Sequence, residues 1–150
     1  MKPPKTAIRS KSDLLPIPAA DRDRIALACY LALSTLKAGQ GDAHTLAVLT
    51  HALIAVHFLL EAGVGEGGGS RATFAAAQNT INACDAGAAI AGRCALATSA
   101  SAGAIGALIA LYDRQLRVAP RATVAWVVAQ VKAYWRDSSD EPRELERLAA

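Results

Sequence analysis

The stretch DAHTLAVLTHALIAVHFLLEAG, from Asp42 to Gly63, decides the fold. Leu46, Leu49, Leu53, Val56 and Leu60 recur at alternating spacings of three and four, which puts them on one helical face. Val48, Ala52, Ala55 and Leu59 form a second apolar stripe. A helix that is apolar on two sides needs neighbours on two sides, so this segment reads as the central helix of a bundle. Asp42 is placed to cap its start and Gly63 to end it.

The same periodicity runs outward in both directions. Upstream, a first helix starts at Pro18, with Asp21 and Asp23 near the positive end of its dipole, and Gly39 ends it. Ile25, Cys29, Ala32 and Leu36 give it one stripe, and Leu27, Leu31 and Ser34 another. Downstream, GVGEGGGS at residues 63–70 is the one low-complexity segment, and Ser70 is expected to cap a third helix. That helix is expected to reach Ala97 with a bend near Gly87, and to offer Ala83, Gly87, Ala91 and Ala95 as a smooth packing strip. A fourth helix over Ala102–Arg117 turns Ile105, Leu108, Ile109, Tyr112 and Leu116 inward. A fifth over Pro120–Arg136 is expected to turn Val124, Val127, Val128, Val131 and Trp135 inward. The final DSSDEPRELERLAA reads as a frayed tail in which Pro142 opens at most one short turn. No segment alternates with β-branched character. The expected fold is therefore all-α: an antiparallel bundle of about five helices over residues 16–136, a disordered basic arm over 1–15 and an acidic tail over 137–150.

Composition agrees with one domain: 150 residues, 53% of them hydrophobic, are enough for a core, and the 5% aromatic content means that Ala, Leu, Val and Ile build it. The net charge of +3 is too small to mark a nucleic-acid binder, but its distribution is uneven. Residues 1–12 carry +4, residues 13–135 carry +1 and residues 136–150 carry −2. Cys29, Cys84 and Cys94 are scattered among small apolar residues with no CxxC pair and no secretory signal, as expected of reduced thiols in a cytoplasmic protein. Cys94 to Tyr112 is uncharged for 19 residues, yet Thr98, Ser99, Ser101, Gly103 and Gly106 interrupt it. Two short helices joined near Ser99–Gly103 fit it better than a membrane span.

No catalytic, metal or cofactor motif stands out. Gly63, Gly65, Gly67, Gly68 and Gly69 follow a helix rather than a strand, and Ser70 precedes Arg71 where a phosphate loop needs its lysine. A flexible linker is the simpler reading, with weak anion docking at Ser70–Thr73 beside Arg71 as the sharper one. His44, His51 and His57 share the second helix, but His57 points away from the other two, so the three do not converge on a metal. His51 and His57 read as half-buried histidines bonded to carbonyls of neighbouring helices. Cys84 beside Asp85 lies on an apolar strip that would raise a thiol pKa rather than activate it. The expectation is no enzyme, no cofactor and no metal.

Two sets of residues bear on binding. Lys2, Lys5, Arg9 and Lys11 in the arm, with Arg114 and Arg117 near the junction of helices four and five, could track phosphates. The junction has the length of a helix-turn-helix turn, but Pro120 occupies it, and the outer face of helix five is poor in base-reading side chains. Trp126 falls about opposite Val124, Val128 and Val131 on a helical wheel, so it is expected off the core face. With Gln130 and Arg121 it forms the candidate partner-binding set.

The succession LLPIPAADRDRIALACYLALSTLKAGQG, then HTLAVLTHALIAVHFLLEAGVG, then IGALIALYDRQLRVAP ahead of a last amphipathic helix resembles a group of small proteins from proteobacterial phages, prophages and plasmids. Many of them are named Fis-like transcriptional regulators. The resemblance spans residues 14–135 and implies a mobile-element accessory protein. Fis-type proteins read DNA through a basic C-terminal helix-turn-helix, whereas this chain ends in an acidic tail after a neutral helix, so no functional residue is carried across. The leading expectation is a non-enzymatic interaction protein that binds a host or self macromolecule, first of all a protein, with inhibition of a host defence system as one form. The alternative is a small DNA-binding transcriptional regulator.

Overall fold

The computed structural model describes residues 10–96 and 98–149. A 3₁₀ turn at Lys11–Leu14 precedes five helices: α1 (Ala19–Lys37), α2 (Ala43–Glu61), α3 (Ser70–Ala91), α4 (Ser99–Val118) and α5 (Arg121–Ala149). Among the described residues there is no strand, and the nearest thing to one is a single antiparallel bridge between Gly41 and Cys94. The all-α class read from the sequence is the class observed.

Helices α1 and α2 end alike, for a reason visible in the chain. Each finishes in Ala-Gly, and Gly39 and Gly63 adopt positive φ of 72° and 79°. Their amides return to Leu36 and Leu60, while Gln40 and Val64 donate back to Thr35 and Leu59 at 3.0 and 2.9 Å. This paired closure satisfies carbonyls that the helix end would otherwise leave bare. At the start of α2, Asp42 Oδ1 accepts from the Thr45 amide and the Thr45 hydroxyl, both at 2.8 Å. Between the two helices, Gly41 exchanges backbone hydrogen bonds of 3.0 and 2.8 Å with Cys94. A Cβ on Gly41 would meet the Cys94 carbonyl oxygen at 2.7 Å, so only glycine permits this approach.

In packing order α1, α2, α3 and α4 form a closed ring, each touching the next, with α1 also against α4; α2 crosses to α4 and carries α5 on its outer side. Helix α2 thus contacts all four others, as its two apolar stripes require. Leu46, Leu49, Leu53, Val56 and Leu60 are buried, and so are Ala52, Ala55 and Leu59 of the second stripe, with Val48 half-buried. The first stripe of α1 and the inward set of α4 are buried too, apart from a half-buried Ile25, whereas the second stripe of α1, Leu27, Leu31 and Ser34, is exposed. Helix α2 is, among the described residues, the one helix long and apolar enough to cross a membrane, and half of that window is buried in the bundle.

Several expectations need correction. Ser70 is the first residue of α3 rather than its cap; Gly69 takes that place at φ 85°, and the Ser70 hydroxyl turns back to the Gly65 and Gly67 carbonyls at 2.8 and 2.7 Å. Helix α3 stops at Ala91, six residues early, because Gly92 enters the left-handed region at φ 73°. Ala83, Gly87, Ala91 and Ala95 are exposed, since the larger Phe74 and Ile81, with Ala77 and Cys84, turn a different face inward. Helix α4 is one continuous helix from Ser99, capped by Thr98 Oγ1 accepting from the Ser101 amide at 3.1 Å, so no helix junction falls at Ser99–Gly103. The arm is structured from Ser10 onward: Ser10 caps the 3₁₀ turn with Asp13, and the Leu15 carbonyl accepts from the Arg121 amide at 2.8 Å. Helix α5 runs on through the expected frayed tail, whose Glu, Arg and Leu content favours helix. Lys2, Lys5 and Arg9 lie outside the described residues.

Candidate interaction grooves

Helix α5 lies antiparallel on α2. Trp126 meets Phe58 near the end of α2 at a ring separation of 5.8 Å, edge to face, and Trp135 comes beside Val48 and Thr50 nearer its start. Neither α1 nor α3 closes up against this part of α5, which leaves a groove on each side of it with α2 as the common floor. The groove toward α3 encloses about 570 Å³. Leu53, Ile54 and Phe58 form its floor, Phe74 and Ile81 one wall, and Tyr134 and Trp135 the other. Thr50, Gln78, Asn82 and Asp85 make the rim polar. The groove toward α1 encloses about 430 Å³ and is more apolar, with Ile25, Val48, Val124 and Val128 beside His44 and His51. Volumes of this size fall within the range of ligand-binding clefts.

The structure corrects the placement of Trp126. The side chain is 9% exposed and belongs to the core. Helix α5 is rotated about its axis relative to the expected wheel: Trp126, Val127 and Val131 face inward, while Val128 and Trp135 are left 41% and 36% exposed. The Trp126 indole brings more apolar surface than Val128, and Phe58 supplies a ring edge for it, so burial at this end of α5 is decided by Trp126 rather than by the smaller Val128. Gln130 is half-buried beside it, and Arg121 is exposed at the start of α5, where its Nε reaches the Pro16 carbonyl at 3.4 Å. These three therefore form no joint exposed patch.

The basic candidates are partly committed. Arg117 Nε donates to Asp113 Oδ2 at 2.9 Å, and the other Asp113 oxygen lies 3.6 Å from Arg22 Nε. Arg114 and Lys11 are exposed. Arg71, the residue beside the expected anion site, is held by Glu66 at 2.8 Å and lies 3.9 Å from Glu61, so two carboxylates compete with any anion there.

His51 and His57, expected half-buried, are exposed on α2, and so is His44. His57 packs its ring against Phe58 and Phe74 at 5.3 and 5.7 Å, and desolvation at the lip of the α1-side groove lowers the His51 pKa. All three cysteines are free and buried. Burial pushes Cys29 up to about 11 and Cys94 up to about 12, the latter with the adjacent Cys84 thiol contributing. Thiols this reluctant to ionise are poor nucleophiles. Among the described residues, no three His, Cys, Asp or Glu side chains gather as metal ligands would.

Sequence reading missed two features. Gln115 is fully buried in α4, its Nε2 donating to the Val64 carbonyl at 2.9 Å, and this bond ties the glycine-rich loop to the core. Gln115 follows Asp113 and Arg114 in a polar run, so no signal in the chain marks that it alone turns inward. Tyr134 and Trp135 as groove walls gave no signal, because a groove is a gap between helices rather than a local pattern. No family model matches this chain, and no curated protein or solved structure matches it either.

Proposed function

We propose that this chain is a non-enzymatic helical interaction protein whose α3-side groove receives an amphipathic helix of a protein partner. The groove's shape and chemistry carry the reading. Along α3 the lining residues run from Phe74 to Asp85, three helical turns or roughly 16 Å at 1.5 Å per residue, a length that suits a helix laid in a groove. The apolar floor would take the partner's i, i+3, i+7 side chains, and Tyr134 and Trp135 offer aromatic anchors of the kind that dominate interfaces. Asp85, exposed at one end, favours a basic residue on the partner at that end. The likeness to phage, prophage and plasmid proteins points to a partner in the host or in the element itself, a defence component being one form.

The test is selection from a displayed library of helical peptides. Enriched sequences should share a three-turn apolar stripe with a basic residue at one end. Their affinity should fall about tenfold or more with Trp135→Ala or Asn82→Arg, the scale of one interface anchor, while the melting temperature holds. Enriched peptides that lack the stripe, or that bind both variants as well as the parent, would overturn the assignment. The alternative, a DNA-binding regulator using the arm with the exposed Arg114, predicts duplex binding that weakens steeply with salt and is indifferent to Trp135→Ala.

A further inference from the structure

The outer face of α1 carries large apolar side chains that nothing among the described residues covers. Leu27 and Leu31 are each 59% exposed and Tyr30 is 49% exposed. At helical spacing they fall on one stripe, continued through the exposed Arg24 and Ser34 to the exposed Ala20 and Ala38 at its ends, with Asp23 and Lys37 along one edge. On that same edge the neighbouring surface is smooth, because Gly103 and Gly106 of α4 line the depression beside Tyr30 and Lys37.

We propose that this face is a two-fold interface between two copies of the chain, with α1 packed antiparallel on α1 of the second copy. The stripe is self-complementary about a point opposite Cys29. In that register Leu27 sits against Leu31 of the second copy, twice by symmetry, and Ala20 sits against Ala38. Asp23 lies within about half a helical turn of Lys37 of the second copy on the same edge, so each dimer gains two pairs of opposite charge. A parallel pairing would instead put the two Asp23–Lys37 edges on opposite sides of the helix pair and leave Asp23 and Lys37 at different levels, so neither charge pair would form. The small residues at the stripe's ends and along α4 let the helices approach closely. A partner of other chemistry would need an acid and a base at matching distances from an apolar centre; a second copy supplies them by symmetry.

Sedimentation equilibrium on the full chain over a micromolar to submillimolar range tests this. A helix-pair interface is at the small end of specific interfaces, so association is expected in the micromolar range, with the mass rising from 15.5 kDa towards twice that value. Leu27→Lys and Leu31→Glu, both at exposed positions, should each weaken self-association by about tenfold or more without lowering the melting temperature. Mixing the two variants should restore a heterodimer, because the introduced amine then faces the introduced carboxylate while the remaining leucine pair is intact. Asp23→Lys leaves every apolar contact in place and should weaken the dimer in a salt-sensitive way. A wild-type chain that stays monomeric throughout, a dimer that survives both leucine substitutions, or a mixture that fails to pair would overturn the proposal.

Discussion

Trp126 seats an indole of α5 on α2, and removing it strips Phe58 of an edge-to-face contact. Trp126→Ala should cost about 3–5 kcal/mol, the usual range for emptying an aromatic site in a core, as read from urea unfolding. Trp135→Ala, at a position 36% exposed on the groove wall, should cost about 1 kcal/mol or less in the same measurement. The contrast separates a residue that holds the fold from one that lines the groove. Cys29 supplies a pH dependence. Burial raises its pKa from 9.0 to about 11, so the folded state favours the protonated thiol. Its contribution is fully present below pH 9 and is lost as pH rises toward 11. The urea midpoint should therefore fall across that window by an amount on the order of 2 kcal/mol in stability, and Cys29→Ala should fall less steeply.

At the scale of elements, the ends of α1 and α2 were readable because each is marked by a residue with a mechanism: glycine for the left-handed exit, aspartate for the amide it accepts. Asp42→Ala should cost about 1 kcal/mol, measurable as a lower midpoint with an unchanged slope. The end of α3 was not readable in the same way. Its C-terminal half, from Ala83 to Ala91, is small and only weakly apolar, so periodicity gave no contrast between continuing and stopping, and Gly92 decided it. The inward face of α5 was misread for a related reason. Valine recurs at 124, 127, 128 and 131, enough to define several competing stripes, and the choice among them rests on which helix α5 meets. Gly41→Ala tests a contact of the other kind, legible only in three dimensions. With a new methyl 2.7 Å from the Cys94 carbonyl oxygen, the loop after α3 must shift, and hydrogen exchange at the Gly41 and Cys94 amides should accelerate before the helices lose protection.

For the whole molecule, the bundle was legible because α2 alone demands neighbours on both of its faces, and the charge map excluded little beyond that. The candidate groove was not, since it arises where α5 lies over α2 and α3 stays apart from it, a consequence of packing with no local signature. The same arrangement makes a prediction about cooperativity. Both tryptophans are on α5, whereas circular dichroism reports every helix. If α5 were an independently docked arm, tryptophan fluorescence would change at lower urea than the helical signal. Instead, the described part of α5 buries Trp126, Val127 and Val131, its first amide is held by Leu15, and α2 beneath it is also the floor for α1, α3 and α4. Exposing the face of α2 under α5 would remove Phe58 and Ile54 from apolar contact and weaken the layer that the other helices share. Fluorescence and circular dichroism should therefore trace one transition with a common midpoint and slope, as a two-state domain of this size does. An earlier fluorescence midpoint would show that α5 detaches on its own, and the groove between α3 and α5 would then lack the fixed wall that peptide binding requires.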